Sequence, residues 1–151
     1  FVNVHFEAFD NQTSNPTNQG TEVGNGEVRL AQAKELIAGP ARGDRVILVG
    51  YLNSDSATPL KPGDELAHSW LIQNGFENRD TAKPLSCCLN SDLLAVDAGG
   101  KLADFDHQVD HIMTGTPSKV KLRKSRVTGL KPQRGYWNSD HAGVWSRLNV
   151  K

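Results

Sequence analysis

The chain has 151 residues, with 17 basic and 17 acidic side chains and a formal net charge of +0 at pH 7. This length is typical of one domain, which buries roughly 68–70% of its unfolded surface, whereas the balanced charge argues against a broad electrostatic surface for nucleic acid. No apolar run approaches the ~20 residues of a membrane span, and no signal peptide is visible. Phe1 is not an initiator methionine, so we expect the sequence to be a fragment or a processed form.

The first third of the chain predicts a strand, a long loop and a helix. Phe1 to Ala8 mixes apolar and polar residues in a strand-like pattern. Asp10 to Gly26 is polar and rich in Asn, Thr and Gly, which predicts a loop that is long for a compact domain. Glu27 to Ala38 places aliphatic side chains on one face of a helix, and Gly39-Pro40 ends it.

A short aliphatic run, Val46 to Val49, predicts a strand that is buried on both faces. Gly50 ends the run, and polar residues follow at once. Ligands in layered α/β sheets bind just beyond the carboxyl ends of such strands. Tyr51 to Asp55 is therefore the stretch in which we expect chemistry, and the alternative is a buried strand followed by an ordinary loop.

The rest of the chain alternates between one further helix and several strands. Asp64 to Gln73 predicts the helix, and the residues from Gly75 to Ser91 look irregular. This alternation argues for the α/β or α+β fold class in a single domain, residues 1–151. The other predicted elements are a short helix or strand over Asp92 to Val96, a hairpin turn at Gly99-Gly100, and strands over Phe105 to Met113, Val120 to Val127 and Ala142 to Val150.

The two cysteines, Cys87 and Cys88, are adjacent in the sequence. Disulfide geometry needs Cα atoms farther apart than neighbouring residues comfortably allow, and no second pair completes a zinc site. We therefore expect two buried side chains that behave as small apolar groups.

A basic run lies in and beside the predicted strand Val120 to Val127. Such a run is usually a solvated strand face, and its functional alternative is a rim that faces phosphate groups. Its members are Lys119, Lys121, Arg123, Lys124 and Arg126, followed later by Lys131 and Arg134.

Four polar clusters lie at the ends of predicted strands: His5, Tyr51 to Asp55, Asp110-His111, and Ser139 to His141. Strand ends on one edge of a sheet converge in space, so we expect the clusters to meet. Together they suggest phosphoester hydrolysis, in which a carboxylate-held histidine takes a proton from water and an amide stabilises phosphoryl charge. A nucleophilic serine at Ser139 is the alternative, but no nucleophile elbow surrounds it.

Four motifs carry a resemblance to a known family. They are Val2-Asn3-Val4-His5-Phe6, Gly50-Tyr51-Leu52-Asn53, Val109-Asp110-His111-Ile112 and Ser139-Asp140-His141-Ala142-Gly143-Val144. In this order they resemble the later motifs of the endonuclease/exonuclease/phosphatase superfamily, the deoxyribonuclease I-like fold. Two further segments, Arg29-Leu30-Ala31-Gln32-Ala33 and Ser86-Cys87-Cys88-Leu89, resemble its bacterial, often exported members. The resemblance implies half of a four-layer α/β sandwich, namely one mixed β-sheet flanked by helices that corresponds to the C-terminal half of the family's domain.

The resemblance also implies a metal-dependent phosphoester hydrolase, a nuclease or phosphatase that uses Mg²⁺ or Mn²⁺. By motif, His141 would be the base that activates water, and Asp110 would orient it. Asp140 would be a metal ligand, Asn53 would contact the phosphate, and His5 would bind the phosphate or assist the leaving group. The expected partners are phosphoester substrates, with nucleic acid among them.

Two departures from the family pattern bear on activity. Tyr51 stands where the family has an aspartate, and a phenol with an ordinary pKa of about 10 supplies no negative charge at neutral pH. The family's earlier half, which anchors the metal through a glutamate, has no counterpart in this sequence, so we expect weak or absent Mg²⁺ binding. The alternative function is a catalytically degenerate binding or oligomerisation module.

Half of a sandwich would also leave one face of its sheet uncovered. We expect Val46 and Leu48, or the alternate residues of the same strand, to form this face. Exposed apolar faces of that size mark interaction sites, and two copies can pack sheet to sheet as a homodimer with a self-complementary interface.

Overall fold

The computed structural model describes residues 1–7, 24–43, 45–59, 62–80, 85–89, 92–96, 99–115 and 119–151. These residues form two helices and six strands, and neither helix is long and apolar enough to cross a membrane. In chain order the elements are β1 (Val2–His5), α1 (Gly24–Ala38), β2 (Ile47–Tyr51), α2 (Leu66–Gln73), β3 (Phe76–Asn78), β4 (Asp110–Gly115), β5 (Val120–Thr128) and β6 (Gly143–Val150).

A four-stranded mixed sheet lies at the centre of the fold, with its strands in the order β1-β2-β4-β3. β1 and β2 are parallel, whereas β4 runs antiparallel to both of its neighbours, β2 and β3. β5 and β6 pair with each other in a separate antiparallel ladder, and β6 also lies against β4. The predicted mixed sheet with flanking helices is confirmed.

The strand β1 approaches β2 very closely at Gly50. This glycine has a φ of 141°, and a Cβ atom at the position would lie 1.9 Å from the carbonyl oxygen of Val4. Only glycine avoids both the steric contact and the unfavourable φ. The strand was predicted to end at Gly50. It continues to Tyr51, because Gly50 pairs with Val4 on one side and with His111 on the other.

Both helices pack on one face of the central sheet. Leu48 of β2 and Met113 of β4 are 1% and 0% exposed. They share a core with Leu36 of α1 and Leu71 of α2. Burying each such side chain contributes roughly 1.5–3 kcal/mol, so this core fixes the helices on the sheet.

The opposite face of the central sheet, which we call the open face, is only partly covered. Because strand side chains alternate between faces, Val49 of β2 and Ile112 of β4 point away from the helices, and both are half-buried. With Val144 of β6 they line a groove of about 250 Å³. Of the two sets of residues expected to form an uncovered face, Val46 and Leu48 are excluded because they lie in the core, and the alternate residues form it.

A smaller core holds the later loops together. Phe105 and Trp137 pack with their rings edge to face, 5.4 Å apart between centroids. Leu89 and Ala142 complete the cluster. Ala142 directly follows His141, so this core anchors the loop that carries that histidine.

Two predicted strands need correction. β3, Phe76–Asn78, lies in a stretch predicted to be irregular, and three residues are too few to show a periodic pattern. The strand predicted from Phe105 begins only at Asp110. Before that point, His107 makes an isolated bridge to Cys87 instead of joining the sheet.

The helices and the shorter segments differ from the predictions by a few residues. α2 begins at Leu66 rather than at Asp64, and α1 begins at Gly24, inside the predicted loop 10–26. The rest of that loop lies outside the described residues. The stretch 92–96 forms neither a helix nor a strand, and contributes two isolated bridges.

The cysteines also differ from the prediction. Cys87 and Cys88 are bonded to each other as a disulfide, and the peptide bond between them is cis. The expectation of two separate thiols is therefore wrong, because the two sulfur atoms are bonded directly. Cys87 is buried as expected, whereas Cys88 is exposed.

Candidate active site

Three predicted site residues lie side by side at one edge of the central sheet. His5 ends β1 and pairs in register with Tyr51, which ends β2. Tyr51 in turn pairs with Asp110, the first residue of β4, because β4 runs in the opposite direction. The expected convergence of strand ends is therefore present, and it includes the start of an antiparallel strand.

His141 joins this edge through a hydrogen bond to Asp110. Its Nδ1 lies 2.8 Å from Asp110 Oδ2, and the Ser86 hydroxyl donates to the same oxygen at 2.7 Å. With Nδ1–H donated to the carboxylate, the neutral ring presents an unprotonated Nε2 that can accept a proton. The hydrogen bond to Asp110 raises the pKa of His141 above its ordinary value, more than partial burial lowers it.

Tyr51 packs between the two histidines. Its ring stacks on His5, with centroids 4.9 Å apart, and meets His141 edge-on at 4.6 Å. Burial, followed by the charge of Asp110, raises the pKa of the phenol above its ordinary value. Tyr51 is therefore neutral at pH 7, and it supplies ring contacts and a hydroxyl group where the family pattern has a carboxylate.

Asn53 lies two residues beyond Tyr51 in a left-handed conformation, with φ at 49°. Asparagine tolerates this region better than most residues because its short polar side chain can bond locally. Its Nδ2 donates to the carbonyl oxygen of Phe6 at 2.9 Å, just beyond the end of β1. This bond ties the Asn53 loop to the strand that carries His5.

A buried polar layer supports the Asn53 loop from below. His111 Nε2 donates to the Ser54 carbonyl oxygen at 2.9 Å, and the His68 backbone N–H donates to the Ser54 hydroxyl at 3.0 Å. The two imidazole rings stack with centroids 4.6 Å apart. Burial lowers the pKa of both His68 and His111, so both rings stay neutral and hold the loop through hydrogen bonds.

Ser139, the alternative nucleophile, and Asp140, the expected metal ligand, both lie on the exposed loop before His141. The Ser139 hydroxyl accepts from the His141 backbone N–H at 3.1 Å and donates to Asp140 Oδ1 at 3.3 Å. These bonds are local to the loop, and the His141 ring is held by Asp110 instead. The arrangement gives no support to a serine nucleophile.

The described residues contain two clusters of potential metal ligands, and neither includes Asp140. One consists of Asp55, His68 and His111, and the other of Cys87, Cys88 and His107. Mg²⁺ requires oxygen ligands and usually one or two carboxylates, whereas these clusters offer mainly nitrogen and sulfur. Neither cluster therefore fits a Mg²⁺ site, although their donor atoms suit another metal.

The contacts of Ser86 with Asp110 and of Cys87 with His141 were not predicted from the sequence. Ser86 is fully buried and anchors Asp110, and Cys87 Sγ lies 3.4 Å from His141 Nε2. Both residues reach the site because their segment pairs with His107. That contact spans 20 residues, and no local periodicity encodes it; the adjacency of a hydroxyl and two thiols was the available signal.

Several solved structures share this fold, whereas the sequence matches no protein-family profile and no curated protein. One is a functionally unknown conserved protein from Enterococcus faecalis V583, with a TM-score of 0.57 and 17% identity over 99% of this chain and 50% of that one. Another is the 3′ phosphatase NExo from Neisseria bound to product DNA hairpin, with a TM-score of 0.56 and 15% identity over 87% of this chain and 56% of that one. At these identities the likeness is one of fold, and this chain spans about half the length of either structure.

Proposed function

We propose that this chain carries the general base of a metal-dependent phosphoester hydrolase. The observation that supports the proposal best is the 2.8 Å contact between His141 Nδ1 and Asp110 Oδ2, at the sheet edge where His5, Tyr51 and Asp110 pair in register. A carboxylate-held imidazole with an available Nε2 is the arrangement that takes a proton from attacking water. The fold shared with a 3′ phosphatase agrees with this reaction class.

Each residue of the site has a distinct part in the proposed reaction. His141 Nε2 accepts the proton of the attacking water, and the Asp110 carboxylate stabilises the imidazolium that forms. We propose that the Asn53 amide, whose Nδ2 donates to the Phe6 carbonyl oxygen beyond the end of β1, contacts a phosphoryl oxygen and stabilises the developing charge. His5 binds the phosphate or assists the leaving oxygen, and Tyr51 holds both histidine rings in place through its ring contacts.

Asp140 would hold a divalent cation, whose charge would offset that of the phosphoryl oxygens. The described residues supply Asp140 as one exposed carboxylate, whereas the Asp110 carboxylate is already engaged by His141 and Ser86. We propose that Asp140 binds Mg²⁺ or Mn²⁺ only weakly without a further carboxylate. Activity should accordingly require a high concentration of either cation.

We propose a second copy of this chain as the partner on the open face. The half-buried Val49 and Ile112 leave an apolar strip there, and this chain covers only 50% and 56% of the two similar structures. A dimeric mass by sedimentation, converted to a monomeric mass by Val49→Asp, is the expected result. A monomer at high concentration contradicts the proposal.

Nucleic acid is the substrate class that we propose first. The similar 3′ phosphatase is bound to a DNA hairpin, and β5 exposes Lys121, Arg123 and Lys124 toward the end of its ladder that is farther from His141. These charges fit a rim that contacts phosphate groups, although the chain as a whole is neutral. Cleavage of DNA should therefore weaken as salt concentration rises, more than cleavage of a small phosphodiester does.

The decisive experiment measures hydrolysis of bis(p-nitrophenyl) phosphate and of plasmid DNA in Mg²⁺ or Mn²⁺. We expect His141→Ala to reduce turnover of both substrates by about 10²–10⁴-fold, the usual contribution of a general base. Lys34→Ala, on the exposed side of α1, is the matched control and should retain wild-type rates. Equal rates in the wild type and in His141→Ala would refute the proposed function.

A further inference from the structure

The disulfide lies between two histidines. Cys87 Sγ is 3.4 Å from His141 Nε2, and Cys88 Sγ is 3.7 Å from His107 Nε2. Tetrahedral Zn²⁺, with Zn–S near 2.3 Å and Zn–N near 2.0–2.1 Å, separates sulfur and nitrogen ligands by about 3.6 Å. Each sulfur–nitrogen pair thus has the spacing of two ligands on one zinc ion.

Both histidines are oriented as zinc ligands usually are. His141 Nδ1 is held by the Asp110 carboxylate, and His107 Nδ1 is held by the Asp106 carboxylate. A metal-bound histidine almost always donates its second ring N–H to a carboxylate or carbonyl group, which fixes the ring and strengthens the ligand. Here each Nδ1 has a carboxylate, and each Nε2 faces a sulfur atom.

The backbone brings three of the four ligands together before any metal binds. Cys87 and His107 form an antiparallel bridge in which each backbone N–H donates to the other residue's carbonyl oxygen at 3.0 Å. The ligand atoms of Cys87, Cys88 and His107 all lie within 4.8 Å of one another. Cys88 is exposed, which gives an ion and a reductant access to the cluster.

We propose that the reduced chain binds one Zn²⁺ ion through Cys87, Cys88, His107 and His141. The disulfide form lacks thiolates and does not bind the ion. The two thiolates balance the charge of Zn²⁺. Sulfur and imidazole nitrogen together form a donor set that binds Zn²⁺ in preference to Mg²⁺. This zinc site differs from the cation site proposed at Asp140, although it uses His141, the proposed general base, as a ligand.

Reduction by a phosphine converts the disulfide to the zinc-binding form. The phosphine gives two electrons to the sulfur–sulfur bond, water supplies an oxygen atom to phosphorus, and two protons go to the sulfur atoms. Binding of Zn²⁺ then releases the two thiol protons. The sulfur atoms move apart to about 3.8 Å, the separation of two sulfur ligands in a tetrahedral zinc site, and Cys88 is free to turn because it is exposed.

A bound zinc ion would prevent His141 from acting as the proposed general base. Zn²⁺ on His141 Nε2 occupies the lone pair that accepts the proton from water, while Asp110 still holds Nδ1. The zinc site is therefore also a means of inhibition that operates only under reducing conditions. The metal-binding test below does not depend on hydrolysis, so its outcome is separate from that of the proposed function.

The test uses Co²⁺ as a spectroscopic substitute for Zn²⁺. The full chain is reduced with a phosphine, freed of reductant under nitrogen and titrated with Co²⁺. We expect one equivalent to produce a thiolate-to-cobalt charge-transfer band and intense visible bands of tetrahedral cobalt, and one equivalent of Zn²⁺ to remove them. The unreduced protein should show neither band.

Variants identify the ligands. Cys88→Ser and His107→Ala each remove a ligand and should weaken Co²⁺ binding by at least about 100-fold, because even the outer carboxylate partners contribute 10–100-fold. Asp106→Asn should fall within that 10–100-fold range. His5→Ala, at the same sheet edge, is the control and should bind Co²⁺ as the wild type does.

Three results would overturn the zinc site. They are no cobalt bands after reduction, bands of equal strength in the unreduced protein, and bands that survive both Cys88→Ser and His107→Ala. Circular dichroism of each variant shows whether it is folded, and Asp106→Asn, which changes an exposed side chain, tests the site even if a ligand variant does not fold.

Discussion

The hydrogen bond between His141 and Asp110 makes the sharpest prediction about the active site. Asp110→Asn keeps the size of the side chain but replaces one carboxylate oxygen with an amide that donates. If that amide nitrogen faces His141 Nδ1, the ring must accept there, and the proton moves to Nε2. The nitrogen that receives the proton of water would then be blocked.

Two measurable changes follow from the substitution. Turnover should fall by about 10²–10⁴-fold, which is the contribution of a general base, and the pKa of His141 should fall toward its ordinary value because its largest cause of elevation is the bond to Asp110. A proton NMR titration of the imidazole C–H signals measures the pKa without any need for activity. Ser86→Ala, which removes the other donor to Asp110 but keeps the carboxylate, should have the smaller effect on both.

The sign of the pH dependence is also fixed. His141 is a base only when neutral, so activity should rise with pH through its raised pKa. Since the folded chain holds this proton more tightly than the unfolded chain, the stabilisation from the ion pair is full below the ordinary pKa of about 6.5 and is lost as pH rises through the raised value. A His141 pKa that is the same in the wild type and in Asp110→Asn would refute this reasoning.

Three further substitutions test other parts of the molecule. Tyr51→Asp introduces the aspartate of the motif that this stretch resembles, and phosphodiester turnover should rise by at least about tenfold. An unchanged rate would contradict a role for this carboxylate in turnover. Gly50→Ala forces a methyl group against the Val4 carbonyl oxygen. In urea unfolding it should lower the free energy of unfolding by well over the roughly 1–3 kcal/mol of a strained φ. The control Gly75→Ala, with φ at 87° and open space around the new methyl group, should show only the cost of the strained φ. Burial raises the pKa of Asp80 to about 6, so relative to Asp80→Asn the wild-type free energy of unfolding should fall by up to roughly 3 kcal/mol as pH rises from 4 to 7, and parallel pH profiles would contradict this.

The sequence predicted those parts of the fold that have a strong local pattern. The aliphatic run from Val46, the helix that ends at Ala38 and the alternating strand from Val120 are all present. β3 and the true start of β4 were missed because a three-residue strand and an isolated bridge depend on long-range pairing. Local periodicity carries no information about such contacts.

The convergence of strand ends predicted that the four polar clusters meet at one edge of the sheet. His5, Tyr51 and Asp110 lie there side by side, and His141 joins them through Asp110. The contacts of Ser86, Cys87 and His111 within the site could not be predicted, because a serine, a cysteine pair and a buried histidine have no distinctive spacing. Their effect comes from contacts between distant segments, such as the one that sets Cys87 beside His107.

The two faces of the central sheet expose neighbouring residues of one strand to different selection. A change at Leu48 or Met113 disturbs the core and would be removed through misfolding. A change at Val49 or Ile112 leaves that core intact and is constrained only by what the open face contacts. In a collection of related sequences, alternate positions along β2 and β4 should therefore diverge at different rates, and those on the open face should vary together with the residues of its partner.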